Sequence, residues 1–293
     1  MKNSIVSEVR YSVFKSGNPL YQFMAINVFV FLLLNLLYVF EFLFGQAGLV
    51  SDFLQKQLIM PANFSLFLLK PWTAFTYMFT QREFFHLLFN MLWLFWLGKI
   101  FLDFLNKRQF IFTYLLGGLA GGITFLLLYN FIPVFKSDAQ FSFLLGSSAS
   151  VSAIVVGTAT LLPDYTIRML FFGNVKLKYL ALVFIILDLI GLAGANPGGN
   201  LSHLGGALLG YLFIVQLQKG RDWSKTFVRK KRKKPDLKVV RNEQPKSPIR
   251  GSRTIPNQEY IDTILDKISQ SGYDNLTKEE KEALFKASKQ DQS

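Results

Sequence analysis

The sequence predicts an all-α membrane protein, a bundle of six membrane-spanning helices followed by a small helical hairpin. Two observations support this prediction. Of the 293 residues, 51% are hydrophobic and only 17% are charged. The charges also avoid several long stretches of the chain, and three of these exceed the roughly 20 residues with which a helix crosses a hydrocarbon core of about 30 Å.

The predicted spans follow from the distribution of charges and turn-forming residues. The first, third and fourth spans carry no charge, and the second carries Lys99 near its end, where the ammonium group can extend to the interface. The fifth and sixth spans share one apolar run, which the Gly-, Asn- and Pro-containing segment 194–200 divides into two. The predicted spans are 16–40, 84–102, 109–135, 139–163 and the two parts of 179–218.

Lysine and arginine predict the orientation of the bundle. They accumulate in the N-terminal segment, in the second-to-third and fourth-to-fifth connections, and beyond Lys219. Both termini are therefore expected to be cytoplasmic. The first apolar run is too long for the core of a signal peptide. The absence of cysteine excludes disulfides and thiol chemistry.

Four regions are expected along the chain. In the last one, apolar residues recur at helical spacing until Gly272, and Thr277 to Glu280 read as a capping box that opens a second short helix. The apolar faces of these two helices could pack on each other or on a partner. The regions are a cytosolic N-terminal segment (1–20), the membrane domain (21–222), a basic linker (223–256) and a cytosolic helical hairpin (257–293).

The linker contains six consecutive basic residues, Arg229 to Lys234, directly after the sixth span. Such a run can mark the cytoplasmic side of a span and nothing more. It can also attract anionic lipid headgroups. A nucleic-acid patch is the least favoured interpretation, because the run lacks the interleaved aromatic residues of single-strand binders. No nucleic-acid partner is expected.

Reactive side chains recur at the start of three spans. His86 and His203 are the two histidines of the chain, and Gly146-Ser147-Ser148-Ala149 stands near the start of span four. With the N-terminus inside, spans two, four and six run in the same direction, so their first turns lie at similar depth. Together they supply the base, the nucleophile and the oxyanion donors of a serine hydrolase.

Small residues form one stripe in span four and another in span six, at the four-residue spacing that lets membrane helices approach closely. We expect these stripes to pack, which would bring Ser148 toward His203. Such stripes more often serve packing than catalysis, so alone they do not indicate an enzyme. They consist of Ala149, Ala153 and Gly157 in span four, and of Gly206 and Gly210 in span six.

The ordered combination of these residues resembles the rhomboid family of intramembrane serine proteases, of a bacterial type with a basic cytosolic C-terminal extension. The resemblance covers about residues 70–217, and Trp72 is similar to an element of the family's first loop. It is carried by His86-Leu87-Leu88-Phe89-Asn90, Gly146-Ser147-Ser148-Ala149, and His203-Leu204-Gly205-Gly206 with Gly210.

The resemblance implies a role for each of these residues. Ser148 would be the nucleophile and His203 its general base, a dyad that requires no carboxylate. His86, Asn90 and the backbone N–H of Ser148 would form the oxyanion hole. The spacing of His86 and Asn90 agrees with a shared oxyanion hole, because residues four apart lie on the same helix face. No cofactor or metal is implied, and the expected partners are transmembrane protein substrates and the lipid bilayer.

Three positions depart from the family pattern. Ala149 stands where the motif usually has glycine, Thr73 stands where an arginine usually follows the tryptophan, and Ser152 replaces an aromatic residue that in many members stacks on the catalytic histidine. Without that ring, His203 is expected to be held less tightly. None of the three changes removes a reacting group.

Two other function classes compete with a protease. The first is a catalytically inactive relative, a pseudoprotease or membrane adaptor that binds transmembrane helices without cleaving them. The second is a small transporter, which Asp188, an acid deep in span five, would favour. The simpler interpretation of Asp188 is a residue buried against a hydroxyl or amide of a neighbouring helix. Retention of both Ser148 and His203 favours the enzyme.

The charge asymmetry predicts the topology of the chain. A reporter fused after Gly220 should report the cytoplasm, and one inserted between Lys136 and Gln140 should report the opposite side of the membrane. Paired alkaline phosphatase and fluorescent-protein fusions measure this. The reverse pair of results would place the reactive residues in the opposite leaflet and contradict the predicted orientation.

Overall fold

The computed structural model describes residues 5–169, 173–227 and 258–288. The chain divides into two compact units, Met1–Lys230 and Lys231–Ser293, and each is described by itself. The basic run Arg229–Lys234 and most of the predicted linker lie outside the described residues.

The described residues are predominantly helical, with two short antiparallel strand pairs. The strands are β1 (Met60–Pro61), β2 (Phe143–Leu144), β3 (Thr166–Met169) and β4 (Gly173–Lys176), with β1 paired to β2 and β3 to β4. The helices are α1 (Ile5–Arg10), α2 (Pro19–Leu43), α3 (Ser51–Leu58), α4 (Phe64–Leu69), α5 (Thr73–Thr76), α6 (Phe84–Phe104), α7 (Lys107–Phe131), α8 (Pro133–Lys136), α9 (Ser148–Leu161), α10 (Leu177–Gly191), α11 (Pro197–Gln218), α12 (Gln258–Ser271) and α13 (Lys278–Ser288).

The predicted class, an all-α membrane bundle, is confirmed. Among the described residues, four helices, α2, α6, α7 and α11, are long and apolar enough to cross a membrane. The other two predicted spans correspond to α9 and α10, with 14 and 15 residues. At 1.5 Å per residue these reach only about 21 to 23 Å. The count of six full spans therefore stays a prediction.

Helix α9 begins later than the sequence predicts. The expected span starts at residue 139, but Phe143 and Leu144 pair with β1, and Gly146 adopts a φ of 114°. That conformation is open to glycine and interrupts a helix. Helix α9 is consequently short. It is also central, because 11 of its 14 residues are buried among α6, α7, α10 and α11.

Helix α2 lies at the edge of the bundle. Beyond its first turn, its buried residues are Asn27, Leu34 and Glu41, which recur every seven positions and so share one face. Most of its other residues are exposed or half-buried apolar side chains. This pattern is expected where one stripe contacts protein and the remainder contacts lipid.

Small residues let α7 and α11 pack directly against α9. A β-carbon built on Gly206 would overlap the carbonyl oxygen of Ala149, and one on Gly210 would overlap that of Ala153. On the α7 side, a β-carbon on Gly121 would lie 2.5 Å from the β-carbon of Ala149. Ala149 therefore fits because both facing helices present glycine to it.

In the second unit, α12 and α13 pack on each other through Ile264, Leu276 and Ala283. Thr277 and Glu280 form both hydrogen bonds of a capping box at the start of α13. Lys267 Nζ lies 2.8 Å from Glu280 Oε1, and this contact lowers the pKa of Glu280. The helical hairpin expected from the sequence is present.

The close contact at Gly206 generates a stability prediction. Gly206→Ala should destabilise the bundle by about 1 to 3 kcal/mol, because the added methyl group forces α11 away from α9. The loss would occur although alanine favours a helix by about 1 kcal/mol over glycine. Thermal unfolding of the purified protein in detergent measures the effect.

Gly157→Ala is the matched control. The nearest atoms to a β-carbon there, on Ile214, Gly210 and Phe101, lie at 3.5 to 3.7 Å, which is ordinary van der Waals contact. This variant should unfold at or above the wild-type temperature. Equal unfolding temperatures for the two variants would contradict the packing argument.

Candidate functional site

Ser148 is the first residue of α9. The turn before it is anchored by Gly146, whose N–H donates to the carbonyl oxygen of Tyr77 at 3.0 Å. The Tyr77 hydroxyl in turn donates to Gly118 in α7 at 2.6 Å, and burial raises its pKa well above the usual range, so it remains a neutral donor. The N–H of a first helical residue has no acceptor within its own helix.

His203, in the second turn of α11, contacts Ser148 directly. Its Nε2 lies 2.7 Å from Ser148 Oγ. The close packing of α9 and α11 at Gly206 accounts for this distance, since Gly206 follows His203 by three residues and faces the backbone of Ala149. The structure thus brings together the two side chains that the sequence predicts as nucleophile and base.

The second nitrogen of the His203 ring also has a partner. Nδ1 lies 2.8 Å from Oδ1 of Asp188, and the two side chains are 23% and 13% exposed. The partner of Asp188 differs from the hydroxyl or amide that the sequence predicts, because the acid lies three residues from the end of α10 and beside His203.

His86 and Asn90 lie on α6, at the level of the turn that precedes Ser148. A β-carbon on Gly146 would lie 2.8 Å from His86 Cε1 and 3.7 Å from Ser148 Oγ, so only glycine leaves room for the imidazole there. Asn90 is buried and donates through Nδ2 to Gln81 Oε1 at 3.2 Å. An asparagine amide carries two N–H donors, so this bond uses one of them.

Sequence reasoning missed a buried polar network beneath these residues. Gln81 donates to Asn27 Oδ1 at 2.9 Å and to Ser147 Oγ at 3.1 Å, in addition to accepting from Asn90. Asn27 also donates to the Tyr114 hydroxyl at 3.2 Å. The available signal was Asn27, an amide within an apolar run. The network connects α2 to the start of α9.

Comparison with known proteins identifies the family of the chain. The family model described as "Rhomboid domain" matches residues 69–219. The chain belongs to the rhomboid family. A family of unknown function (DUF6576) matches residues 252–290, which include the helical hairpin. The sequence-based resemblance to rhomboids is therefore confirmed at the level of the family.

The chain is also similar to RHOMBOID-like protein 12, mitochondrial, of Arabidopsis thaliana. The two are 25% identical over 158 residues. That segment covers 51% of this chain and 47% of the relative, so this rhomboid chain matches about half the length of its relative.

The three departures from the rhomboid pattern lie in different surroundings. Ala149 faces the glycines of α7 and α11 described above. Thr73 is buried and donates to the carbonyl oxygen of Lys70 at 2.6 Å, while Trp72 donates through Nε1 to the backbone carbonyl oxygen of Gln57 at 2.8 Å. Ser152 is buried one turn after Ser148. Both ring nitrogens of His203 nevertheless have polar partners.

The polar network generates a further prediction. Gln81→Leu should destabilise the protein by at least about 2 kcal/mol, because it leaves buried groups of Asn27, Ser147 and Asn90 without this partner, at about 1 to 3 kcal/mol each. Thermal unfolding in detergent measures the loss. Gln140→Leu, at an exposed position, is the control and should change stability by less than about 0.5 kcal/mol. Similar unfolding temperatures would rule out a stabilising role for the network.

Proposed function

We propose that this chain is a rhomboid-type intramembrane serine endopeptidase that hydrolyses peptide bonds in or near transmembrane segments of membrane proteins. In this proposal Ser148 is the nucleophile and His203 is the general base. The observation that carries it is the 2.7 Å distance between Ser148 Oγ and His203 Nε2 inside a bundle of apolar helices. Hydroxyl and imidazole at this separation match the geometry of an activated nucleophile.

The chemistry follows from that pair. Ser148 Oγ attacks the carbonyl carbon of the scissile bond while His203 Nε2 accepts the hydroxyl proton. The tetrahedral intermediate collapses to an acyl-enzyme as the imidazolium returns the proton to the leaving amine. A water molecule, deprotonated by the same nitrogen, then hydrolyses the ester.

The oxyanion of the intermediate would accept hydrogen bonds from His86, from the second N–H of Asn90 and from the backbone N–H of Ser148. The start of α9 supports this role, because a helix N-terminus presents unpaired donors and a favourable dipole to an anion. Loss of one oxyanion donor typically lowers kcat by about 10²- to 10³-fold.

The proposed setting is a bacterial inner membrane with both chain termini in the cytoplasm. The substrates would be proteins with a transmembrane helix, cut near the outer face. The basic run Arg229–Lys234 would then meet anionic headgroups on the cytoplasmic side. No cofactor is needed for this reaction.

A pseudoprotease or adaptor is the alternative. The enzyme is favoured because both reacting groups are present and within hydrogen-bonding distance, whereas an adaptor needs neither. A transporter is disfavoured because Asp188 pairs with His203 and thus belongs to the same polar cluster.

The proposal predicts which serine reacts. A fluorophosphonate probe should label the wild type, Ser147→Ala and Ser150→Ala, but neither Ser148→Ala nor His203→Ala. The side chains of Ser147 and Ser150 are fully buried, so a probe cannot reach them. In-gel fluorescence and mass-spectrometric mapping of the adduct measure this, together with cleavage of a panel of single-span substrates.

Labelling of Ser148→Ala at the wild-type level, or an adduct on Ser152, would contradict the assignment of the nucleophile. A folded wild type that neither labels nor cleaves any substrate would favour the adaptor.

A further inference from the structure

A line of three polar side chains crosses from α9 through α11 to α10. Ser148 Oγ lies 2.7 Å from His203 Nε2, and His203 Nδ1 lies 2.8 Å from Asp188 Oδ1. The carboxylate is thus on the side of the imidazole that faces away from the serine. This series of hydroxyl, imidazole and carboxylate contains one group more than the dyad that the family resemblance implies.

The local fold explains why Asp188 reaches His203. Helix α10 ends at Gly191 and α11 begins at Pro197. A β-carbon on Gly191 would overlap the side-chain amide of Asn200, so the two helices approach closely beside the turn. Asp188 precedes Gly191 by three residues and His203 follows Asn200 by three, which places both one turn from this contact.

The carboxylate decides which ring nitrogen carries the proton. A carboxylate accepts hydrogen bonds, so the proton of a neutral His203 is held on Nδ1, and Nε2 presents its lone pair to Ser148. When Nε2 takes the serine proton, the adjacent negative charge stabilises the imidazolium. We infer that Asp188 is a positioning residue that selects the reactive tautomer of His203, which makes the site a triad. This inference rests on the proposed protease function.

The sequence around the site is consistent with this role. In the rhomboid pattern described above, an aromatic residue one turn after the nucleophile stacks on the histidine in many members. This chain has Ser152 at that position. Here a hydrogen bond to Asp188 holds the ring from the opposite side. An acid at this location in an apolar helix is costly unless it is paired, and His203 is the partner that the structure gives it.

Kinetics with a cleavable transmembrane substrate test the inference. Asp188→Asn and Asp188→Ala should lower kcat by about 10²- to 10⁴-fold with KM changed less than about threefold, as expected for a defect in base catalysis. Asp103→Asn, at an exposed position on α6, is the control and should retain wild-type kcat. A wild-type kcat in both Asp188 variants would overturn the inference while leaving the protease intact. Failure of the wild type itself to cleave would instead refute the proposed function.

The tautomer can be read without activity. Because the chain has two histidines, the ¹⁵N spectrum of histidine-labelled protein in micelles contains two imidazoles, and a His86→Asn variant assigns them. The wild type should show His203 protonated at Nδ1 and unprotonated at Nε2. In Asp188→Asn the proton should move partly or wholly to Nε2, because an amide N–H now faces Nδ1. An unchanged tautomer in a folded Asp188→Asn protein would reduce Asp188 to a structural contact and overturn the inference.

Discussion

The contact between the backbones of α9 and α11 at Gly206 and Gly210 determines the separation of the reactive side chains. Any side chain at Gly206 would displace α11 from the carbonyl oxygen of Ala149, and His203 would move with it. Proton transfer from serine to imidazole requires hydrogen-bonding distance. The absence of side chains at Gly206 and Gly210 thus controls the geometry on which catalysis would depend.

A second constraint is the cost of unpaired polar groups among apolar helices. Two hydrogen-bonded systems around the start of α9 provide partners for several such groups. Ser147 belongs to the network of Gln81, Asn27 and Asn90, whereas the next residue, Ser148, belongs to the line through His203. Ser147 and Ser148 therefore belong to different hydrogen-bonded systems. The first is fully buried and fixes the turn, while the second is half-buried and keeps its hydroxyl near the imidazole.

The sequence predicted much of this arrangement and missed the rest for physical reasons. Long apolar runs with few or no charges located α2, α6, α7 and α11, because span length and hydropathy are local properties. The start of α9 was misplaced by nine residues, since the pairing of Phe143 and Leu144 with β1 depends on residues more than 80 positions away. The partner of Asp188 was missed for a similar reason. Helical periodicity predicts which face of its helix a residue occupies, but it does not identify the residue that it contacts on the neighbouring helix.

The group that contacts the histidine determines whether the site fixes only the orientation of the ring or also its tautomer. A stacked ring restrains the plane of an imidazole, but it accepts no hydrogen bond from either nitrogen in that plane and so does not itself select a tautomer. A carboxylate on Nδ1 restrains the ring and separates the tautomers in energy, because only one of them donates toward it. That preference strengthens where water is scarce, since charge interactions grow as the effective dielectric constant falls. With side chains of His203 and Asp188 only 23% and 13% exposed, this chain provides such surroundings.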